Sequence, residues 1–182
     1  MDKWLLSRLE STVKAVDDNL ANYRIPEAAK ALQSFVDDMS NWYVRRSRER
    51  FWAKGMGSRI RSMLNMTLYT ALVTVAKAAA PMIPFMTEDI YQNLVKSIDA
   101  SAPESIHLCD FPEVHENWID PKMEEDMADL LEIVVMGRAA RNTANIKNRQ
   151  PIGTMYVKSE FQLSEFYKEI IEDELNVKEV VF

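Results

Sequence analysis

Leu5, Leu9, Val13, Val16, Leu20 and Tyr23 recur at three- and four-residue steps, the spacing that lays apolar side chains along one helix face. The pattern predicts a first helix from Asp2 to Tyr23, roughly 30 Å long at about 1.5 Å per residue. Pro26 suits the first turn of a second helix, where its missing N–H costs nothing. That helix turns Ala28, Leu32, Phe35 and Val36 inward, runs through Trp42 and extends toward Lys54, with Gly55 and Gly57 as stop signals. A third helix carries Ile60, Leu64, Leu68, Leu72, Val75 and Ala79 and stops at Pro81. Pro84 opens a fourth, with Phe85, Ile90, Tyr91 and Leu94 facing inward. Ala76, Ala78, Ala79 and Ala80 predict a close helix approach. Four long helices joined by short turns bury four apolar stripes as an antiparallel bundle.

Residues 97–119 lose this periodicity and read as a long connection packed across the bundle. Asp120-Pro121 then forms a helix start, with the aspartate as N-cap and proline at the first position. The fifth helix places Met123, Met127, Leu130, Leu131 and Val134 on one stripe. After Asn142 the period shifts. Segments 146–152, 155–157 and 177–182 read as short strands, with a helix over 163–175 between the last two. The expected fold class is therefore mainly α: an antiparallel helical bundle with a small α+β C-terminal segment. The bundle and its connection occupy 1–119, and the fifth helix and α+β region occupy 120–182.

At 182 residues, with nearly half of them apolar, the chain can bury a core, and its four glycines argue against a turn-rich all-β fold. One cysteine, Cys109, excludes an internal disulfide and a cysteine-based zinc cage, and suits a reducing, cytoplasmic setting. No apolar run approaches the ~20 residues needed to span a bilayer, so no membrane role is expected. Met1-Asp2-Lys3-Trp4 is not a signal peptide, because no apolar h-region follows. A helix that starts at once is expected if a longer protein is cut at a domain boundary.

The net charge of −6 would ordinarily argue against a nucleic-acid ligand, but its distribution reverses that inference. Between Arg45 and Arg61 stand seven basic residues and one acid, Glu49, so this stretch carries +6 and the remainder −12. Helical phasing at about 100° per residue divides the run. Met39, Tyr43, Arg46 and Arg50 continue the apolar stripe, whereas Asn41, Arg45, Arg48 and Trp52 fall on the opposite face. An outward tryptophan beside arginines can stack on a base while the guanidiniums hold phosphates. The alternative is a helix that ends early, with Trp52 capping the bundle. Phasing assigns Arg46 and Arg50 to structure, paired with acids at the bundle end.

A second basic group, Arg138, Arg141, Lys147 and Arg149, has no acid between Ile133 and Arg149. Arg138 and Arg141 continue the apolar stripe of the fifth helix, so that stripe is expected to leave the core and present charge. Asn142, Asn145 and Gln150 add groups able to read base edges. The alternative is a salt-bridge seam with acids of the bundle. Enzyme readings fare poorly. His107 and His115 lie eight apart with no metal-pair spacing, Cys109 has no basic activator nearby, and the four glycines build no phosphate loop. The methionines at 63, 66, 82 and 86 are read as core filling.

Several segments stand out: Trp4-Leu5-Leu6-Ser7-Arg8-Leu9, Tyr23-Arg24, the stretch Phe35 to Arg48 through Ser40-Asn41-Trp42-Tyr43-Val44-Arg45-Arg46-Ser47, and Ala80-Pro81-Met82-Ile83-Pro84-Phe85-Met86-Thr87-Glu88-Asp89-Ile90-Tyr91. Ser105-Ile106-His107-Leu108, Gly137-Arg138-Ala139-Ala140-Arg141-Asn142 and Asn145-Ile146-Lys147-Asn148-Arg149-Gln150-Pro151-Ile152 follow. In sequence and in order these segments closely resemble isoleucyl-tRNA synthetase. The valyl family shares the bundle, but acidic or neutral residues are expected there after Trp-Tyr, where this chain has Arg45-Arg46-Ser47-Arg48. The resemblance implies a fragment: the helical anticodon-binding domain of a class Ia synthetase plus the start of its C-terminal region. It further implies a parent that joins isoleucine to its tRNA using ATP and magnesium. The catalytic His-Ile-Gly-His and Lys-Met-Ser-Lys-Ser signatures are absent, so this piece is expected to be inactive alone. No cofactor or metal is expected in the fragment. Its expected partners are the anticodon stem-loop of the isoleucine tRNA and the catalytic body of the parent. With that resemblance, Asn41, Arg45, Arg48, Trp52, Arg138, Arg141, Asn145, Lys147 and Arg149 form the candidate RNA-binding set. A structural module docking on an acidic protein surface is the competing function.

Overall fold

The computed structural model describes residues 1–52, 58–159 and 161–182, with the side chains of residues 49, 51, 52 and 58–61 outside the description. The chain divides into two compact units, Met1–Asp120 and Pro121–Phe182.

In the first unit, α1 (Asp2–Ala21) packs against α2 (Ile25–Asp38) and α4 (Ser58–Ala79). Its apolar stripe buries Trp4, Leu5, Leu9, Val13 and Val16. Each fully buried leucine contributes about 1.5–3 kcal/mol by removing apolar surface from water. Between α2 and α3 (Arg45–Trp52) the chain stays helical but widens to π geometry over Met39–Val44. The helix α5 (Pro84–Tyr91) begins at its proline and also runs into a π turn, Gln92–Lys96. Close packing at the end of α4 follows from small side chains, with Ala76, Ala78, Ala79 and Ala80 all buried.

Polar ties fix the helices to one another. Arg8 Nε donates to Asp38 Oδ2 at 3.2 Å, joining α1 to α2. At the start of α1, Tyr43 Oη donates to Asp2 Oδ1 at 2.9 Å, and Arg50 donates to both Asp2 oxygens at 3.1 and 2.9 Å. The connection is strapped down in the same way. Glu88 accepts from Ser105 Oγ and the Ile106 N–H, and Tyr91 Oη donates to the Pro103 carbonyl. Buried Glu10 accepts from the His115 N–H at 2.7 Å, and Ser7 Oγ accepts from the Asp120 N–H at 2.8 Å. His115 stacks on Trp118, so that histidine packs and caps.

The second unit consists of α6 (Pro121–Thr143), β1 (Ile152–Tyr156), α7 (Glu165–Leu175) and β2 (Val177–Val181). The strands pair in parallel with Ile152 opposite Val177, and α7 supplies the crossover that parallel pairing requires. The unit's core gathers Met127, Leu130, Ile133 and Val134 of α6 together with Tyr167, Ile170, Ile171 and Leu175 of α7. At Gly137 an added Cβ would run into the Leu175 side chain, so glycine is what permits this close helix approach.

Several expectations need correcting. The first helix stops at Ala21, and Tyr23 takes a left-handed φ of 57° and is 90% exposed. Asn19 and Asn22 turn their amides back on the Ala15 and Asp18 carbonyls there, which suits a helix end. Phe85 is also 90% exposed, because α5 buries the face of Thr87 and Tyr91, and two residues along a helix turn about 200°. Met63, Met66 and Met86 face solvent instead of filling the core. Residues 146–151 form a loop, and the first strand begins only at Ile152. Lys54, Gly55 and Gly57, read as the helix stop, and the side chain of Ile60 lie outside the described residues.

Candidate nucleic-acid interface

The π turn decides how the arginine run is presented. Hydrogen bonds from i to i+5 consume extra residues per turn, so buried positions step by four, from Met39 to Tyr43 to Ser47. Phasing at 3.6 residues per turn assigned the inner place to Arg46, whereas Ser47 holds it at 1% exposure and Arg46 is half-buried. Serine suits that position by its small volume, since no arginine could be buried there without a partner. Its Oγ finds no hydrogen-bond partner among the described residues.

Asn41, Arg45 and Arg48 are exposed on the side of the rod away from this stripe. Arg45 Nε donates to the Asn41 carbonyl one turn back at 2.7 Å, and its guanidinium lies 5.5 Å from the centre of the Trp42 ring. A cation on an aromatic face is held by the ring quadrupole, which pre-orders the guanidinium. Arg50, on the inner side, is spent on Asp2. The backbone of α3 does continue to Trp52, but whether the Trp52 side chain shares the exposed face lies outside the described residues.

The second basic group is arranged otherwise. Arg138 Nη2 donates to Glu174 Oε2 at 2.6 Å, and Glu174 is only 3% exposed. Arg141 is 4% exposed, and its two terminal nitrogens donate to the carbonyls of Lys147, Gln150, Leu175 and Asn176. The expectation that this stripe leaves the core and presents charge is therefore corrected. Arg141 stays inward with its charge solvated by backbone oxygens, as buried charge requires, and Arg138, its side chain 42% exposed, is neutralised by a buried carboxylate. Of the second basic group, Lys147 and Arg149 point outward, and with Asn145 they belong to the exposed 144–150 loop. Asn145 adopts a left-handed φ of 56° just past the end of α6, a conformation that asparagine tolerates well.

Sequence reasoning missed two contributors to these surfaces. Trp42 lay between the two phased faces, and its pairing with Arg45 at i, i+3 was the available signal. Asn176, left-handed at φ 50°, donates its side-chain amide to the Arg149 carbonyl at 2.9 Å. No local pattern connects residues so far apart in sequence. Among the described residues, no group of three His, Cys, Asp or Glu side chains could hold a metal ion.

Residues 2–158 match the family model described as the anticodon-binding domain of tRNA ligase. The chain is 49% identical over its whole length to an isoleucine–tRNA ligase of Clostridium tetani and 52% identical to that of Clostridium acetobutylicum. It is 41% identical, over 98% of its length, to isoleucine–tRNA ligase 2 of Bacillus cereus. In each case the chain spans 17% of the relative's length.

Proposed function

The chain belongs to the anticodon-binding domain family of tRNA ligases, and on that footing we propose that its Asn41–Arg48 face binds the anticodon stem-loop of an isoleucine-accepting tRNA. The observation that carries this reading is the alignment of Asn41, Arg45 and Arg48 on one exposed helical face, with Arg45 pre-ordered on Trp42. Guanidiniums would hold backbone phosphates, and the aromatic and amide groups would meet unstacked bases of the loop. Trp52 stays in the contact set on its sequence phase. Asn145, Lys147 and Arg149 form the second contact surface. Arg138 and Arg141 leave the contact set because their charge is used within the fold.

The chain supplies recognition and no chemistry, since the two class I catalytic signatures are absent from it. Attachment of isoleucine, with ATP and magnesium, belongs to a catalytic body carried elsewhere in the longer protein. Translation places that protein in the cytoplasm, and among the described residues no helix is long and apolar enough to cross a membrane.

The test is charge reversal at the exposed face, read by fluorescence anisotropy with a labelled stem-loop hairpin. Arg48→Glu should weaken binding about tenfold and lower the log–log salt slope by roughly 0.7 to 0.9, the share of one phosphate contact. Stability should change by no more than about 0.5 kcal/mol, as for a surface substitution. Unchanged binding, or a large loss of stability, would remove Arg48 from the interface.

A further inference from the structure

The 144–150 loop has little regular structure of its own, yet it is anchored from beneath at almost every carbonyl-rich point. Arg141 reaches up from α6 and, through five hydrogen bonds, collects four carbonyls: Lys147 and Gln150 of the loop, and Leu175 and Asn176 at the end of α7. Asn176 completes the grip. Its Nδ2 donates to the Arg149 carbonyl at 2.9 Å and, more weakly, to that of Asn148 at 3.5 Å. Its own carbonyl accepts from the Ile152 N–H at 3.1 Å, where β1 starts. Two backbone N–H groups add to this, that of Ile146 on the Arg141 carbonyl of α6 and that of Gln150 on the Lys147 carbonyl within the loop.

With the carbonyls turned inward onto Arg141 and Asn176, the side chains of Asn145, Lys147, Asn148, Arg149 and Gln150 are left exposed to solvent. We infer that Arg141 and Asn176 are positioning residues, which hold this loop as a pre-ordered surface for the phosphate backbone of RNA. The inference rests on the proposed RNA-binding reading and adds to it the residues that make the second surface rigid. Pre-ordering matters because a loop that must be fixed on binding loses affinity for every residue immobilised. The two anchors differ in what they cost the fold. Arg141 is buried and also ties α7 to the loop, so its loss would disturb the whole unit. Asn176 sits at a left-handed position that glycine also adopts without strain.

Three variants of the whole chain decide the matter: Arg141→Lys, Asn176→Gly, and the pair Lys147→Ala/Arg149→Ala, with a labelled anticodon stem-loop hairpin as the probe. Asn176→Gly preserves the backbone conformation and removes only the side-chain grip, so it remains informative if Arg141→Lys fails to fold. Amide hydrogen exchange at Ile146 and Gln150 should quicken at least tenfold in Asn176→Gly and Arg141→Lys, with α1 amides unchanged. Hairpin binding should weaken three- to tenfold in Asn176→Gly. On the Lys147→Ala/Arg149→Ala background the same substitution should have no further effect, because a positioning residue acts only through the groups it positions. Unchanged loop exchange overturns the inference whether or not RNA binds. Full additivity with the loop variants overturns it too. Faster exchange with no hairpin binding by the wild-type chain would instead sink the RNA reading and, with it, the purpose assigned to the loop.

Discussion

Arg50 and Tyr43 converge on the Asp2 carboxylate, and the consequence is a pH dependence with a definite sign. Burial by itself would raise the pKa of Asp2, but the hydrogen bonds from Arg50 and Tyr43 outweigh it and hold the carboxyl below its usual range. A carboxyl depressed in the folded state lends stability at neutral pH that is lost as pH falls through its folded value. Asp2→Asn should therefore cost about 1–2 kcal/mol at pH 7, a figure kept small because both side chains are about a third exposed. In urea denaturation the gap from wild type should narrow as pH falls below about 3.9; a gap constant with pH would mean the carboxylate's charge is irrelevant. At Asp38 burial, aided by the neighbouring Asp37 charge, outweighs Arg8 and raises the pKa, so that residue opposes stability at neutral pH instead of adding to it. Arg50 was legible as structural because it shares the phase of Tyr43. Arg138 and Arg141 were not, because their partners, Glu174 and the carbonyls around Asn176, lie more than thirty residues further along the chain. A charge without nearby acids in sequence looks solvent-facing until the fold supplies a partner.

Among the elements, the π turn over Met39–Val44 explains both the success and the failure of helical phasing. An extra residue absorbed there carries the buried stripe from Tyr43 to Ser47, while Asn41, Arg45 and Arg48 stay outward. Because a π turn behaves as a one-residue insertion in an α-helix, deleting exposed Ser40 should convert it to regular α geometry and keep the downstream phase. Deleting exposed Lys30 from the regular part of α2 should instead rotate everything after it by about 100° and pull Leu32 and Phe35 out of register. Thermal unfolding followed by circular dichroism should show a modest drop for the first deletion and loss of cooperative folding for the second. Equal damage from both would contradict this account of the turn. The long helices were legible because period and punctuation agree, with Pro26, Pro84 and Pro121 all in first turns. The 144–151 segment misled because Ile146 and Ile152 flank polar residues in a strand-like way. The carbonyl grip of Arg141, which makes it a loop, leaves no local trace.

For the whole molecule, an acidic chain with two compact units exposes a basic pair on each: Arg45 and Arg48 in the first, Lys147 and Arg149 in the second. Acid elsewhere would repel a polyanion and so favour contact at these places. The proposed RNA-binding role requires that the chain select one hairpin over another. Its most direct test is a titration of the whole chain against two labelled stem-loops, one with the isoleucine anticodon and one with those bases replaced, between about 50 and 200 mM salt. The matched hairpin should bind at least about tenfold tighter at every salt concentration, a difference of about 1.4 kcal/mol. Both affinities should fall with a log–log slope near −3, as roughly four phosphate contacts would give. Equal affinity for the two hairpins, or no binding to either at the lowest salt, would contradict it.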